Sequence, residues 1–358
     1  MKLTNKFLIG FMAIAACGCG QKQSDNPLLN DFTTPYGIAP FEEITIDNYR
    51  EGILLGMEEQ KAEIEAIINN PEEPTFQNTI VAMDQSGKLL RKVRGTFSPL
   101  TSSNSTEESR ALEKELSPLM SAHSDDINLN EKLFARVKKV YDNRENIKLT
   151  PEEKTVLENI YKRFVNSGAE LSETEKEKLR ELNQQLSMLE LTFSQNLLHE
   201  TNNTFVVANS LEELKGLPQA NIDAAAKMAA DNGQPGKWMF NMQRPSCNPV
   251  LQYCENRDLR KKVYDAYYNR GNTGNEYDSK EICRQLVTLR LEKAKLMGYN
   301  NYAEMVLEDR MAKTPEAVFE LLDQVWEPAV AKAKEELDDI RAEIRKEGKD
   351  FEPEGWDY

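Results

Sequence analysis

The sequence contains very little histidine, with only His123 and His199 among 358 residues. A catalytic zinc site commonly takes two histidines and a carboxylate, and the HExxH motif places both rings on one helix face. His199-Glu200 begins such a motif, but Asn203 stands where the second histidine should be. His123 has no partner in the sequence, and we expect it in a polar loop. We therefore predict no catalytic and no metal-ligating residue in this chain.

Cysteine is also scarce, and no two cysteines have the CxxC spacing of a metal or redox site. Cys17 and Cys19 lie close to the N-terminus, which leaves Cys247, Cys254 and Cys283 as an odd set. An oxidising compartment would permit a disulfide, but the spacings do not require one. We expect buried free thiols, with Cys254 inside a helix and Cys247 just outside it.

The chain lacks an excess of positive charge. Its 45 Lys and Arg residues stand against 60 Asp and Glu residues, for a formal net charge of -15. Binding to nucleic acid needs clustered Lys and Arg against the phosphates, so we exclude a general nucleic-acid partner. The acidity does not identify a substrate. A hydrophobic content of 39% predicts a folded chain rather than a disordered one.

The apolar segment near the N-terminus is too short for a transmembrane helix, which needs about 20 residues. Positive Lys2 and Lys6 precede the apolar run 7–16, so we predict a signal peptide over residues 1–16. Small residues before Cys17 resemble a bacterial lipobox, in which that cysteine is lipidated. Residues 17–26 would then form a polar tether to the membrane. The alternative is a plain secretory signal. Both interpretations predict export to the cell envelope, and the lipobox interpretation also predicts a lipid anchor and a chain that faces the periplasm.

From Ile46 onwards, apolar residues recur at helical spacing, which predicts an all-α, multi-helix fold. Hydroxyl residues three positions before a glutamate predict helix starts with capping boxes. They are Ser105, Thr150, Ser172 and Ser210, and Thr314 before Pro315 indicates another start. Two long helices, 172–198 and 315–345, carry unbroken apolar stripes that we expect to pack inside a bundle. Two short strands, 203–208 and 237–242, predict a small β ribbon.

The remaining polar and aromatic clusters have simple structural interpretations. The segment 271–274 has two glycines but lacks the Lys-Ser/Thr of a phosphate loop, so we expect a flexible loop. The segment 126–130 resembles only the first part of a calcium loop, and loop or helix-capping roles fit it better. Tyr264, Tyr267 and Tyr268 near Arg270 indicate a core or groove lining, with a ligand cleft as the alternative.

An ordered set of short segments resembles one known family. The segments are 26–29, 34–41, 46–49, 76–80, 85–90, 133–137, 163–165, 289–299, 311–317 and the final Gly355-Trp356-Asp357-Tyr358. Together they resemble the peptidyl-dipeptidases, or dipeptidyl carboxypeptidases, of the M3 zinc metallopeptidase family. The resemblance extends over residues 26–358. The segment 275–278 departs from the asparagine-rich loop of many relatives, so no role for that loop is carried over.

The resemblance implies a nearly all-helical ellipsoid whose two halves enclose a channel for short peptides. It also implies a zinc site in the second half, where a metal-bound water attacks the scissile carbonyl and dipeptides leave from the free C-terminus. The HExxH helix has no counterpart in this sequence, so no catalytic or metal residue is carried over. We therefore expect residues 27–358 to be the helical N-terminal region of such an enzyme, inactive without its catalytic half.

Two functional hypotheses follow from these observations. The first is the N-terminal, channel-forming part of an exported zinc-dependent peptidyl-dipeptidase, with zinc bound by the other half. The alternative is a non-catalytic helical lipoprotein that binds peptides or acts as a scaffold. The first hypothesis predicts that the apolar stripe 318–344 packs against the absent half and is exposed without it.

Overall fold

The computed structural model describes residues 24–358, so the predicted signal peptide, Cys17 and Cys19 lie outside the described residues. Helices dominate this part of the chain, and a single two-stranded antiparallel sheet is found in it. The predicted all-α class with a small β ribbon is confirmed. Among residues 24–358, no helix combines the length and the apolar character that a membrane crossing requires.

The helices and strands follow one another with short connections. The helices are α1 (Ile46–Ile68), α2 (Ala82–Gln85), α3 (Lys88–Ser103), α4 (Glu107–Asn128), α5 (Glu131–Asp142), α6 (Pro151–Asn166), α7 (Glu173–Asn203), α8 (Gln219–Asp231), α9 (Arg244–Tyr253), α10 (Arg257–Tyr268), α11 (Lys280–Leu296), α12 (Tyr302–Leu307) and α13 (Pro315–Lys346). The strands are β1 (Phe205–Ala208) and β2 (Trp238–Asn241). A π-helical turn, Phe76–Val81, leads into α2, and short 3-10 helices occupy Pro27–Leu29, Pro35–Gly37 and Leu211–Leu214.

The described chain divides into two compact units, and the first comprises residues 24–60 and 87–104. Its core lies between α1 and α3, where the rings of Tyr49 and Phe97 stand 5.0 Å apart. Gly56 allows the two helices to approach closely, because a Cβ there would lie 2.8 Å from the backbone of Leu90. Asn26, which the sequence placed in the tether, is buried and caps the 3-10 helix through Leu28 N. Ordered packing in this unit thus begins before residue 27.

The second unit comprises residues 61–86 and 105–358 and contains two apolar clusters. The end of α1, the π-helical turn, α2, α5 and α6 supply the first cluster, which includes Leu133, Leu157 and Phe164. The ribbon and helices α8 to α10 supply the second cluster, which includes Phe240 and Val263. Each of these five side chains is at most 2% exposed. The clusters fix α5 and α6 in one region and the ribbon with α10 in another.

Most of the predicted element boundaries agree with the structure. Thr150 and Ser172 form capping boxes, and the Thr314 side chain caps α13 through Ala317 N. The prediction at Ser105 is one residue early, since Thr106 caps α4 together with Ser109. Residue 210 precedes only a short 3-10 helix and makes no side-chain cap bond to a backbone N–H there.

The two long helices behave differently. Helix α7 buries Leu179, Leu182 and Leu186 and runs to Asn203, five residues beyond the predicted end. Helix α13 spans the predicted residues, but the prediction that it packs inside a bundle is wrong for this part of the chain. Most of its apolar face is exposed, and only Ile344 of the predicted stripe is buried. The expected exposed apolar stripe is therefore present.

Candidate functional site

The C-terminal turn of α7 carries the best organised polar cluster of the second unit. Leu179, Leu182 and Leu186 bury the first half of the helix in the core, and its last turn directly precedes β1. The backbone N–H of Met242, next to β2, donates to Thr201 O over 3.0 Å. This bond ties the end of α7 to the ribbon.

The buried carboxylate of Glu200 is bound by the loop that connects α10 to α11. Three groups of the loop donate hydrogen bonds to the side chain, and the residue is only 2% exposed. Thr273 Oγ1 donates to Glu200 Oε1 over 2.6 Å, and Asn275 Nδ2 donates to the same oxygen over 2.8 Å. The backbone N–H of Gly271 donates to Oε2. The loop therefore closes around a carboxylate supplied by a helix some 70 residues earlier.

These donors determine the charge state of Glu200. Burial by itself raises the pKa of this carboxyl, because a buried charge loses its hydration. The hydrogen bonds from Gly271, Thr273 and Asn275 act in the opposite direction and prevail, so the pKa of Glu200 lies below its ordinary value of 4.5. Glu200 is thus a structural anion at neutral pH rather than a proton donor.

Asp278 braces the same loop from within. Its carboxylate accepts from Gly274 N over 2.8 Å, from Lys280 N over 3.0 Å and from Lys280 Nζ over 2.7 Å. The hydrogen bond from the Lys280 ammonium is the main reason why the pKa of Asp278 is lowered to about 2. The predicted flexible loop is in fact a braced one, held by two carboxylates.

Arg270 is fixed at the start of this loop. Its guanidinium lies 3.9 Å from the ring centroid of Tyr267, and its Nε donates to Tyr267 O over 2.8 Å. Its Nη1 donates to Thr201 Oγ1 over 2.7 Å. No carboxylate pairs with Arg270 among residues 24–358. A guanidinium has five N–H donors. Arg270 is therefore a fixed cation that keeps unused N–H donors at the start of the loop.

A cavity of about 300 Å³ opens beside Arg270. Phe193 and Leu197 of α7 line it with apolar surface, and Lys280 and Cys283 line it from the start of α11. This volume is at the lower end of the usual range for ligand pockets, about 300–1,000 Å³. The cavity can therefore hold a small group with one apolar part and one polar part.

The structure does not assemble a metal site around either histidine. The His199 ring stacks on Tyr277 at a centroid distance of 3.7 Å, and its Nδ1 has no hydrogen-bond partner among the described residues. Asn203, at the position of the missing second ligand, donates its Nδ2 to His199 O over 3.0 Å. Within residues 24–358 no group of three or more His, Cys, Asp or Glu side chains could hold a metal ion.

The predicted loop position of His123 is wrong, because the residue lies inside α4. Burial lowers the pKa of its imidazole below the ordinary value. Its polar neighbours in the sequence suggested a loop, but the helix pattern on both sides continues through them. Asn130 does cap α5 through Leu133 N, as the capping interpretation of that segment predicted.

The tyrosines of α10 form one continuous group, because the Tyr268 ring lies 4.3 Å from that of Tyr264 and 5.3 Å from that of Tyr267. Tyr267 holds Arg270, whereas Tyr264 packs edge-on against Trp356 at 5.7 Å between ring centroids. Tyr268 is 65% exposed. The predicted aromatic group therefore contributes to packing and, through Tyr267, to the position of Arg270.

The chain end is bound to α10 through Asp357, whose side chain is 3% exposed. Asp357 forms ion pairs with Arg257 and Arg260, each with an N–O distance of 2.7 Å. Burial raises the pKa of Asp357, but the hydrogen bond from Arg257 leads the effects that outweigh it, and the net pKa is lowered. Arg260 Nε also donates to Trp356 O over 2.8 Å. The Trp-Asp motif thus has a structural role in this chain.

The three described cysteines are free as predicted, but three details of the prediction are wrong. Cys247 lies inside α9 rather than outside it, and Cys254 is the residue after the helix ends. Both are buried as expected, whereas Cys283 is exposed. Helix α9 starts earlier than predicted because Pro245 occupies its first turn, where a missing N–H costs nothing.

The partners of Glu200 could not be predicted from the sequence. Thr273 lies in the segment predicted to be a flexible loop and Asn275 directly after it, and their acceptor is more than 70 positions away. A carboxylate near the end of a long helix gives no local signal of a distant loop. The cluster could only be found once the fold brought α7 and the loop together.

Comparisons with known proteins give a consistent relationship. Residues 250–358 match the model of peptidase family M3. The chain is 34% identical over 333 residues to a dipeptidyl carboxypeptidase of Escherichia coli (strain K12), across 93% of this chain and 49% of that protein. It is 32% identical over 335 residues to a dipeptidyl carboxypeptidase of Salmonella typhimurium, across 94% and 49%. It is 30% identical over 336 residues to oligopeptidase A of Haemophilus influenzae, across 93% and 48%. The chain spans about half the length of these curated relatives.

Proposed function

The chain belongs to peptidase family M3, and from this premise we propose that it is the N-terminal part of a zinc-dependent peptidyl-dipeptidase. In this proposal it supplies one helical wall of a channel for short peptides, and the whole enzyme releases dipeptides from the peptide C-terminus. The observation that carries the proposal is the 34% identity to a dipeptidyl carboxypeptidase over 93% of this chain. The relatives named oligopeptidase A support peptides as the substrate class.

The exposed face of α13 supports the assignment to one part of a larger enzyme. Phe319, Leu322, Val325 and Trp326 are each between 53% and 69% exposed. Contiguous exposed apolar surface marks an interaction site in a soluble protein. We propose that this face packs against the remaining part of the enzyme.

The residues described in this chain do not form a site for zinc, the metal that M3 peptidases use in general. The donor sets needed for zinc, three nitrogen, sulfur or carboxylate ligands, are not found within residues 24–358. Glu200 is committed to the loop, and the His199 ring is stacked on Tyr277. We therefore derive no catalytic step through a metal from these residues. Their contribution is to bind and orient the peptide.

We further propose that the protein is exported and held at the cell envelope by lipid on Cys17. The support is the sequence pattern of residues 1–26, which lie mostly outside the described residues. Metabolic labelling with a radioactive fatty acid tests this proposal. Label in the native chain and its loss in a Cys17→Ser variant are expected, whereas equal labelling of a Cys19→Ser control and the Cys17→Ser variant would contradict it.

The second candidate function is a non-catalytic helical lipoprotein that binds peptides or acts as a scaffold. The braced loop and the cavity beside Arg270 favour it, because they form a binding site without catalytic groups. An assay of a longer protein that contains both parts of the family fold distinguishes the two functions. Chelator-sensitive release of C-terminal dipeptides from a short blocked peptide supports the peptidase, and binding without release supports the scaffold.

A further inference from the structure

We propose that the cavity between α7 and α11 binds the C-terminal residue of a short peptide, with its apolar side chain on Phe193 and Leu197 and its carboxylate on Arg270. The peptide as ligand class rests on the proposed function, whereas the site itself follows from the cavity. The cavity measures about 300 Å³. Its size suits one residue and part of the next.

The charges around the cavity select a carboxylate. Arg270 has no carboxylate partner among residues 24–358, and its hydrogen bonds go to neutral oxygens of Tyr267 and Thr201. Lys280, the other cation at the cavity, is paired with Asp278 over 2.7 Å and is balanced by it. Glu200 is satisfied by three loop donors and does not pair with Arg270. Arg270 is therefore the group that can take an incoming anion, and the planar guanidinium matches a carboxylate well.

The position of Arg270 is set before a ligand arrives. Stacking on Tyr267 and bonds to Tyr267 O and Thr201 Oγ1 hold the guanidinium in place. A preorganised arginine loses less side-chain entropy on binding than a mobile one. The apolar surface of Phe193 and Leu197 supplies the second contact, which distinguishes an apolar C-terminal residue from a charged one.

Cys283 provides a reporter inside the site. It is exposed and lines the cavity, whereas Cys247 and Cys254 are buried and burial raises the pKa of both thiols. The thiolate is the reactive form, so the two buried cysteines react slowly. In a chain of residues 1–358 with Cys17→Ser and Cys19→Ser, alkylation by iodoacetamide therefore reports mainly on residue 283.

The test measures the rate of Cys283 alkylation by mass spectrometry with acetyl-Ala-Ala-Leu present as the free acid or as the amide. We expect the acid to slow alkylation at least fivefold at saturation and the amide to leave the rate unchanged. Equal protection by both forms, or by neither, would overturn the proposal. Stronger protection by octanoate than by the peptide acid would overturn the assignment to peptide C-termini.

Two variants locate the site. Leu197→Glu places a carboxylate on the apolar surface, and we expect it to abolish protection while the unfolding midpoint in urea stays close to that of the native chain. Leu211→Glu, at a position 60% exposed and outside the cavity lining, is the matched control and should keep full protection. Loss of protection in both variants, or in neither, would overturn the location. Alkylation needs no turnover, so this result is independent of whether the larger enzyme releases dipeptides.

Discussion

Replacing Glu200 by glutamine tests the central polar cluster most sharply. The substitution keeps the shape of the side chain but removes its charge and one acceptor oxygen. The new amide must turn its NH₂ group towards Gly271 N–H or towards the side chains of Thr273 and Asn275. The Thr273 hydroxyl can accept from it, but Gly271 N–H and Asn275 Nδ2 only donate, so in either orientation a donor faces a donor. At least one hydrogen bond is lost and the others become neutral.

The magnitude follows from these bonds. A hydrogen bond to a charged group contributes about 1.5–3 kcal/mol and a neutral one about 0.5–1.5 kcal/mol, while a buried unsatisfied group costs about 1–3 kcal/mol. One lost bond and two weakened bonds give a loss of about 3 kcal/mol in the free energy of unfolding. Urea denaturation followed by circular dichroism measures it, and hydrogen exchange at the Gly271 amide should become at least tenfold faster.

The same substitution has a defined pH dependence. The folded-state pKa of Glu200 lies below its ordinary value of 4.5, so the carboxylate stabilises the fold fully above that value. As the pH falls through the lowered folded pKa, Glu200 takes up a proton and this stability is lost. The difference between the native chain and the Glu200→Gln variant should therefore be constant near pH 7 and shrink below pH 4.5. Glu281→Gln, at an exposed ion pair on α11, is the control and should leave the midpoint unchanged. A Glu200→Gln variant with native stability and native Gly271 exchange would refute the reasoning.

Three further predictions concern the buried ion pairs of Asp357, the close approach of α1 and α3, and the exposed face of α13. Asp357→Asn removes a buried acceptor shared by two arginines, and we expect a loss of about 2–3 kcal/mol in urea unfolding. Gly56→Ala places a Cβ 2.8 Å from a backbone atom and should destabilise the chain by about 1–2 kcal/mol, whereas Gly95→Ala in open helix surface should stabilise it by about 0.5–1 kcal/mol. The exposed face of α13 should bind the dye ANS, and a Leu322→Glu, Trp326→Glu double variant should bind less of it with an unchanged unfolding midpoint.

A specific result would contradict each of these predictions. Asp338→Asn, at an exposed ion pair on α13, is the control for Asp357→Asn, and equal effects of the two would show that the buried pairs carry no special stability. Equal effects of the two glycine variants would refute the close approach of α1 and α3. Dye binding that survives the double variant would place the exposed apolar surface elsewhere than on α13.

Helix positions could be predicted from the sequence because their signals are local. The caps at Thr150 and Ser172 and the stripe of α7 depend on residues three or four positions apart, and the structure has them where expected. Local signals also misled, since the polar neighbours of His123 concealed its place inside α4. Polar residues on the surface of a helix give the same composition as a loop.

Only Tyr267 and Arg270 of the candidate site could be predicted from the sequence, as part of a core, groove or ligand cleft, because the other partners are distant in the sequence. Arg270 acquires its position from Thr201 and Tyr267, and the cavity beside it needs α7 and α11 to lie side by side. The chemistry of each residue was visible in the sequence, but their meeting depends on the tertiary fold. Family resemblance was more informative for function than any single motif, because the matching segments occur in order along the whole chain.

The most direct test of the central claim is an assay of residues 1–358 for dipeptide release. The chain is incubated with added zinc and an N-terminally blocked peptide with a free C-terminus, and the products are separated by mass spectrometry. If the chain is the N-terminal part of an M3 peptidase, as proposed, residues 1–358, with two histidines and no HExxH motif, should release no dipeptide. Release of a C-terminal dipeptide that a chelator abolishes would contradict the account.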